Sequence, residues 1–390
     1  MCLADFETMK PLRTAVIGIS GFARTHLKSI AAHPDQLSLS AVVIRLPRDD
    51  RADEESRERE LVREGVRVYR SHSELLRAEQ GRIDLVTIPC GIPEHCELSI
   101  DSLEAGYDVL CEKPAAGNLA DALRMFECSR RTRKTLMIGY QHLLRPSTQL
   151  IKDTALRGRF GKLLSARTLL SWPRDHEYYS RNRWAGRLAV DGKGVFDSPL
   201  QNAAAHFFQN MLYVAGETRH GCAEPIEVYA ENYHIAQIES ADTQFVRARL
   251  HGGVELVFVA SHAAPETVEP VTEYLFERGR ITWEISGRTE FFLDGTEEVY
   301  DDRLDDPHDL PFLEAVAAAE GREPRSTIEN AVQHARCVDA AFRSSGGIVE
   351  LDPALRASGL LPALELAYEE RKGFAELGLP WARPGRILAL

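Results

Sequence analysis

The sequence contains neither a long apolar run nor a surplus of positive charge. No stretch approaches the roughly 20 apolar residues of a membrane-spanning helix, so we expect no contact with a membrane. The 390 residues carry 47 Lys+Arg against 59 Asp+Glu, which gives a formal net charge of −12. Since sequence-independent nucleic-acid binding depends on basic residues, this acidic balance argues against a nucleic-acid partner.

Cysteine pairs with the spacing of a metal site are also missing. The 7 cysteines are scattered, and no C-x-x-C pair occurs. Several fall in apolar patterns, where a free thiol behaves as a small buried hydrophobe. Residues 1–10 lack the basic region and apolar run of a secretory signal. We therefore expect no metal site, free thiols and a cytoplasmic location.

The pattern of apolar residues changes near Tyr140. Before that point, strand-length apolar runs such as "TAVIGI", "IDLVTIP" and "TLMIGY" alternate with helical segments. This alternation predicts a doubly wound α/β fold with a parallel sheet covered on both faces. After that point, strand-like runs follow one another through turn signals such as "HGG" at 251–253, which is typical of an antiparallel meander. The sequence thus predicts two domains, residues 1–140 and residues 141–390.

A glycine turn follows the first predicted strand, in "AVIGISGFARTHL". In the dinucleotide-binding spacing G-x-G-x-x-G/A, Gly18 fits the first position and Ala23 the third, but Ser20 replaces the second glycine. Gly21 keeps a flexible turn one residue along, and the Ser20 hydroxyl could donate to a phosphate oxygen. A tight turn without a ligand is the alternative. Because the motif opens a helix in the first βαβ unit, the context favours cofactor binding.

Two arginines follow the second predicted strand, in "AVVIRLPRDD". An acidic residue at this place usually binds the ribose 2′-hydroxyl of NAD, whereas an arginine suits the 2′-phosphate of NADP. Arg45 and Arg48 therefore favour NADP over NAD. The alternative is that both pair with Asp49, Asp50 or Asp53 nearby.

Several segments together resemble a known protein family. The stretches "GISGFARTHL", "IDLVTIPCGIPEHCELSIDSLEAGYDVLCEKPAA" and "LMIGYQHLLRP" are similar to the glucose–fructose oxidoreductase/inositol dehydrogenase (Gfo/Idh/MocA) family, and "GREPRSTIENAVQHARCVDAAFRSS" resembles its helix near the carboxyl end. The resemblance implies an N-terminal Rossmann dinucleotide-binding domain, whereas the C-terminal α+β domain would have a large, open, mostly antiparallel sheet. That second domain would bind substrate and mediate oligomerisation, and its last helices could pack back on the first domain.

The same resemblance implies the catalytic candidates. The lysine of the family's E-K-P motif matches Lys113, which would contact the nicotinamide ribose and the substrate hydroxyl. The family also has an aspartate four residues before a histidine. Here His206 matches, but Asn202 stands at the aspartate position, and the nearest carboxylate is Asp197. We predict one helix from Asp197 to Ala215, which places Asn202 and His206 on one face. For His206 alone, the alternative is a buried core histidine.

The other candidate site residues belong to two groups. The cofactor-binding candidates are Gly18, Ser20, Gly21, Phe22, Ala23, Arg45, Arg48, Pro89, His95, Glu112, Lys113 and Gln141. The substrate candidates come from the aromatic and polar stretch "SWPRDHEYYSRNRWAG", and they are Trp172, Tyr178, Arg183 and Trp184. Sugar-binding pockets mix such side chains, although the same stretch could instead pack on a neighbouring subunit.

The sequence therefore predicts an NAD(P)-dependent oxidoreductase that moves a hydride between a nicotinamide cofactor and a sugar or polyol hydroxyl. His206 or Lys113 would take the hydroxyl proton, and histidine is the more natural acid–base because it titrates near neutrality. The resemblance also implies a homodimer or homotetramer built through the sheet face. Two alternatives stay open, namely a redox-type glycosidase with tightly held NAD, and a non-catalytic regulatory protein that binds a nucleotide or sugar.

Overall fold

The computed structural model of the protein describes residues 10–44 and 51–390. Its first sheet has six parallel strands in the order β3-β2-β1-β4-β5-β6. The strands are β1 (Leu12–Ile17), β2 (Leu37–Val43), β3 (Arg67–Tyr69), β4 (Leu85–Ile88), β5 (Asp108–Cys111) and β6 (Leu136–Ile138). The connecting helices are α1 (Ala23–Ala32), α2 (Arg51–Arg63), α3 (His72–Ala78), α4 (His95–Glu104) and α5 (Leu119–Thr132).

Apolar residues on both faces explain why these strands form a central sheet. Val16 and Ile17 are neighbours in β1, so their side chains point to opposite faces. Val16 belongs to a core that includes Leu27 of α1, and Ile17 to a core that includes Leu103 of α4. Both faces are therefore dry, as expected for a parallel sheet covered by helices.

The second sheet has ten strands and is mostly antiparallel. Its main path is β16-β15-β14-β13-β7-β12-β11-β10-β17, with β18 paired to β10. The strands are β7 (Leu163–Ser171), β10 (Pro225–His234), β11 (Thr243–Leu250), β12 (Glu255–Ser261), β13 (Val268–Phe276), β14 (Gly279–Glu284), β15 (Arg288–Leu293), β16 (Thr296–Asp301), β17 (Val349–Glu350) and β18 (Leu388–Ala389). The short strands β8 (Ala189–Val190) and β9 (Lys193–Gly194) form a separate hairpin. The predicted fold class, a Rossmann sheet followed by a large, mostly antiparallel sheet, is confirmed.

Helices from the second half pack on both sheets. They are α6 (Pro146–Leu156), α7 (His176–Ser180), α8 (Ala205–Val214), α9 (Leu310–Ala319), α10 (Ile328–Ser344), α11 (Ala354–Ser358) and α12 (Leu360–Glu370). Helix α8 places Phe208 in the core under the ten-stranded sheet, and α12 places Leu364 on the opposite face. Helix α9 instead packs Phe312 into the core of the six-stranded sheet. The division of the chain at residue 140 stays a prediction. Within the described residues, no helix is long and apolar enough to span a bilayer.

The segment before α8 differs from the predicted continuous helix. Residues Pro199–Ala203 form a wide π-type turn, in which the Ala204 N–H donates to the Pro199 carbonyl at 2.9 Å, and the regular helix begins only at Ala205. Buried side chains hold this turn open. The Gln201 side-chain amide donates to the Ala116 carbonyl at 3.0 Å. The prediction of one α-helix from Asp197 is therefore wrong, because tertiary hydrogen bonds override the local helical preference.

A buried ion pair connects the start of the second half to the ten-stranded sheet. Arg145 Nη2 lies 2.5 Å from Asp302 Oδ1, and both side chains are almost fully buried. Asp302 Oδ2 also accepts hydrogen bonds from the Ser147 N–H at 3.0 Å and hydroxyl at 2.6 Å. Gly287 has φ +96°, and a Cβ there would meet Asp302 Oδ1 at 1.7 Å. Ser147 and Gly287 thus pack closely against the carboxylate of this ion pair.

We expect Asp302→Ala to lower the free energy of unfolding by about 3–5 kcal/mol, since it leaves the buried Arg145 guanidinium without its counter-charge. The exposed neighbour Asp301, which pairs with Arg303 at 3.1 Å, provides a matched control. Asp301→Ala should cost less than about 1 kcal/mol. Urea unfolding followed by circular dichroism measures both changes, and equal losses in the two variants would contradict the argument.

Candidate active site

A cavity of about 470 Å³ opens at the carboxyl ends of β1, β4 and β5. The six-stranded sheet contributes residues 17–22, residues 89–92, Glu112 and Lys113 to its wall. In open α/β sheets, ligands bind at this edge. A cavity of about 540 Å³ lies at the other edge, beside Leu12 and Asp84, where the strands begin. The chemistry-bearing residues therefore surround the first cavity.

The glycine turn retains the geometry of a phosphate cradle despite Ser20. Gly18 has φ +114° and Gly21 has φ +59°, so Gly21 supplies the left-handed conformation that the motif needs. A Cβ at Gly21 would meet no atom within 4 Å, which leaves the backbone open to a ligand. Helix α1 begins at Ala23 with no side-chain cap and no acidic residue in its first turn. These features fit the pyrophosphate of a dinucleotide.

The described residues stop at Ile44, just after β2, and resume at Arg51. Arg45 and Arg48 lie outside the described residues. Ile44 lines the cavity, and the buried carboxylate of Glu54, from α2, belongs to the same wall. The sequence analysis missed Glu54, because the highly charged segment around it is typical of a solvent-facing helix. No signal in the local pattern distinguishes this one glutamate from its neighbours.

Glu112 is held in place behind the cavity. Its Oε1 lies 3.1 Å from His26 Nε2, and its Oε2 accepts a hydrogen bond from the Lys113 N–H at 3.1 Å. Burial opposes the charged carboxylate, but the bond to His26 and the charge of Lys113 outweigh it and keep the pKa of Glu112 below its usual value. A Cβ at Gly139 would lie 2.7 Å from Glu112 Oε1, so the close approach of β6 requires glycine.

Lys113, Asn202 and Asp197 form one hydrogen-bonded chain. Lys113 Nζ donates to the Asn202 carbonyl at 2.9 Å and to Asn202 Oδ1 at 3.1 Å. Asn202 Nδ2 in turn donates to Asp197 Oδ1 at 2.8 Å, and Asp197 Oδ2 accepts from the Gly186 N–H at 2.7 Å. Burial lowers the pKa of Lys113 although Glu112 and Asp197 oppose this shift. Burial likewise raises the pKa of Asp197.

His206 packs beside this hydrogen-bonded chain and is not among the described residues that line the cavity. Its ring centroid is 4.8 Å from that of His142 and 5.7 Å from that of Tyr140. Burial, and then the charges of His142 and Lys113, hold the pKa of His206 well below its usual value. The same burial lowers the pKa of His142 to about 3. Asn202 lies in the π-type turn and His206 lies in α8. Of the two, only Asn202 lines the cavity.

The remaining cofactor candidates occupy different positions. Phe22 and Pro89 line the cavity, whereas Ala23, His95 and Gln141 do not belong to the wall formed by described residues. The ring of His95 lies between two backbone carbonyls, with Nδ1 2.8 Å from Pro114 O and Nε2 3.1 Å from Cys90 O. His95 thus links the loops that follow β4 and β5.

Trp184 is the substrate candidate that the structure brings into the cavity wall. A Cβ at Gly91 would lie 2.8 Å from Trp184 Nε1, so the indole packs directly on this glycine. Arg183 instead pairs with Asp191 at 2.6 Å on the surface. Trp172 donates from Nε1 to Glu269 at 3.2 Å, also outside the cavity.

The sequence analysis missed two cavity residues in this loop, Arg181 and Asn182. The guanidinium carbon of Arg181 lies 3.5 Å from the ring centroid of Tyr178, so Tyr178 supports the cavity wall from behind. Asn182 Oδ1 accepts hydrogen bonds from the N–H groups of Trp184 at 2.9 Å and Ala185 at 2.8 Å. The spacing Tyr178, Arg181, Trp184 contained this signal, because every third residue is an aromatic or a cation.

Known proteins resemble this chain in sequence. Residues 12–140 match the model of an oxidoreductase family with an NAD-binding Rossmann fold. The dehydrogenase aclE of Aspergillus oryzae is 25% identical over 224 residues, which cover 55% of this chain and 58% of that protein. The myo-inositol 2-dehydrogenase of Thermotoga maritima is 25% identical over 281 residues, which cover 69% of this chain and 74% of that protein. The match with aclE thus spans less than two thirds of that relative.

The fold is also found in solved structures. The WlbA dehydrogenase from Bordetella pertussis, solved in complex with NADH and UDP-GlcNAcA, superposes with a TM-score of 0.69 at 23% identity. The superposition covers 86% of this chain and 97% of that one. Both sheets and their helices are therefore shared along most of the chain.

Proposed function

We propose that the chain belongs to the glucose–fructose oxidoreductase/inositol dehydrogenase (Gfo/Idh/MocA) family and that it is an NAD(P)-dependent sugar or polyol dehydrogenase or reductase. The observation that supports this most directly is the position of Lys113. It lies at the carboxyl end of β5, in one cavity with the glycine turn that fits a dinucleotide. The cofactor would supply the hydride acceptor or donor, and the protein would bind the sugar and transfer the proton.

Lys113 is the proposed proton carrier at the reacting hydroxyl. Two of the positions around Nζ are used in donating to Asn202, and the side chain lines the cavity. The remaining position therefore presents a proton in the ammonium form and a lone pair in the amine form. Because burial lowers the pKa of Lys113, the amine form is populated at a lower pH than in an exposed lysine.

Asn202 and Asp197 act on Lys113 and not on the substrate proton. Asn202 cannot accept a proton, so its role is to hold the amine by both of its oxygens. Asp197 orients the Asn202 amide through the bond at 2.8 Å. His206, with its depressed pKa, is a neutral ring packed near Lys113 and is a weaker proton acceptor than the sequence alone suggests.

Two alternative activities share this fold: a redox-type glycosidase with tightly held NAD, and a non-catalytic regulatory protein. All three proteins compared above are named as dehydrogenases, which favours the dehydrogenase. A glycosidase would release sugar without net cofactor turnover. Following nicotinamide absorbance and sugar release in the same reaction separates the two activities.

Cofactor preference depends on two opposing features. Arg45 and Arg48 favour NADP, as their sequence position indicates. The buried Glu54, in the same wall as Ile44, favours NAD, because a carboxylate accepts hydrogen bonds from ribose hydroxyls and repels a 2′-phosphate. We keep the proposal that NADP is preferred, with Glu54 as the residue that limits this preference.

We further propose a cytoplasmic homodimer or homotetramer. Six cysteines of the described residues form no disulfide, which is consistent with a reducing compartment. On the ten-stranded sheet, α12 and the segment around Phe374 cover the strands near Tyr233 and Phe245. A contact through this sheet would therefore use the other strands, where Leu164 of β7 and Val299 of β16 are exposed.

We expect Lys113→Ala to lower kcat by about 10²–10⁴-fold, since it removes the proton carrier, while NADH affinity stays within a few-fold. Nicotinamide absorbance in a panel of sugars and polyols measures turnover, and nicotinamide fluorescence measures binding. Lys162→Ala, at an exposed lysine before β7, is the control. His206→Ala should cost less than Lys113→Ala, and near-normal turnover in both variants would rule out the proposed chemistry.

The pH profile tests the role of Asn202. In the direction of alcohol oxidation, kcat/KM rises with pH as Lys113 loses its proton. Asn202→Asp places a carboxylate about 3 Å from Nζ, stabilises the ammonium form and raises the pKa of Lys113. The rising limb should therefore move to higher pH by about one unit. Asn118→Asp, which keeps the N-cap of α5, should leave the limb in place. An unmoved limb in Asn202→Asp would show that another group titrates.

Cofactor preference is tested by titrating the protein separately with NADH and NADPH. Glu54→Gln should raise the affinity for NADPH relative to NADH by about three- to tenfold, because it removes repulsion of the 2′-phosphate. Arg45→Asp should change the same ratio in the opposite direction. Glu58→Gln, at an exposed pair with Arg70, is the matched control. If Glu54→Gln and Glu58→Gln behave alike, Glu54 does not contact the adenosine end.

A further inference from the structure

Three arginines follow α7 in the loop beside the cavity, and two of them are neutralised. Arg183 pairs with Asp191 at 2.6 Å, and Arg187 pairs with Glu239. Arg181 has no carboxylate partner within residues 10–44 and 51–390, and it is the arginine of the three that lines the cavity. Among the described residues, the loop therefore places one guanidinium that makes no ion pair in the cavity wall.

Aromatic rings fix the orientation of this guanidinium. Its carbon lies 3.5 Å from the ring centroid of Tyr178 and 5.7 Å from that of Trp184. Arg174 stacks on the same Tyr178 ring at 4.5 Å. Tyr178 and Arg181 also share a side-chain hydrogen bond. Because a guanidinium has five N–H donors, others stay available in a fork that matches the two oxygens of a carboxylate.

Arg181 and Lys113 line the same cavity. Burial lowers the pKa of Lys113 most, and the charge of Arg181 lowers it further. The same charge acts on the carboxylate of Asp197. Two cations thus lie near each other at the place where the sugar would react, and a bound anion would relieve their repulsion.

We propose that Arg181 binds a carboxylate of the substrate, so that the enzyme acts on sugar acids or related polyhydroxy acids in preference to neutral sugars. This inference rests on the proposed function. The substrate hydroxyl would lie at Lys113, its carboxylate at Arg181, and its carbon skeleton against Trp184. With the cofactor bound, a secondary alcohol would give its carbinol hydride to the nicotinamide and its hydroxyl proton to Lys113, and would become a ketone while the carboxylate stayed unchanged.

The other source of an anion in this cavity is the cofactor phosphate. The glycine turn and the uncapped start of α1 already fit that group. The loop that carries Arg181 also carries Trp184, and the indole of Trp184 contacts Gly91. We therefore assign Arg181 to the substrate, and the experiment below measures its effect on each ligand separately.

The experiment compares binding of matched acid and neutral ligands to the full chain saturated with NADH. The pairs are D-galacturonate with D-galactose, D-glucuronate with D-glucose, and D-gluconate with D-glucitol. Calorimetric titration should give at least one acid that binds tenfold or more tightly than its neutral counterpart. Arg181→Gln should reduce that ratio below about threefold while the Kd for NADH changes less than twofold. Arg187→Gln, at the surface pair with Glu239, should behave as the unaltered protein.

Other outcomes overturn the assignment in distinguishable ways. If no acid binds better than its neutral counterpart, the carboxylate proposal is wrong while the dehydrogenase proposal stands. If Arg181→Gln weakens NADH binding tenfold and leaves the acid preference unchanged, Arg181 serves the cofactor phosphate. If the unaltered protein binds neither NADH nor NADPH, the proposed function itself fails, and the inference fails with it.

Discussion

The partly buried amine of Lys113 must be satisfied at the end of β5, and much of the candidate site follows from this requirement. An amine removed from water needs hydrogen-bond acceptors. Among the described residues, no carboxylate forms an ion pair with Lys113, and the acceptors are neutral oxygens. Both acceptors come from Asn202, one from its backbone and one from its side chain. Glu112 and Asp197 contribute charge without touching the amine, so it is held without being locked in the ammonium form.

The Rossmann half was predictable from the sequence because its signals are local. The first strand, the glycine turn and the start of α1 lie within residues 12–32, and their order alone indicates the first βαβ unit. Gly21 shows how far local reasoning reaches. Its positive φ compensates for Ser20, as the adjacent glycine suggested. The E-K-P lysine was likewise found through its place at the end of a strand.

The features that the sequence did not predict share one cause, which is that tertiary contacts determine them. Gln201 opens the turn before α8 by bonding to backbone carbonyls of residues 116 and 117, far away in the sequence. Among the described glutamates of α2, Glu54 is distinguished by its burial in the wall of the cavity that Ile44 also lines. The difference between Arg181 and Arg183 depends on where Asp191 lies. Propensity and periodicity do not encode such pairings, even where the partners are as close in sequence as Arg183 and Asp191, which are 8 residues apart.

The wide turn at Pro199–Ala203 has a consequence for how the chain tolerates changes in length. Each residue of a helix advances the chain by about 100° around the axis. Deleting one residue there would favour a regular helix, but it would rotate Asn202 away from Lys113 relative to α8. Inserting one would rotate it the other way. The length of this turn therefore fixes the rotation of Asn202 relative to α8. Alignments of functional relatives should show gaps on either side of the turn and not within it.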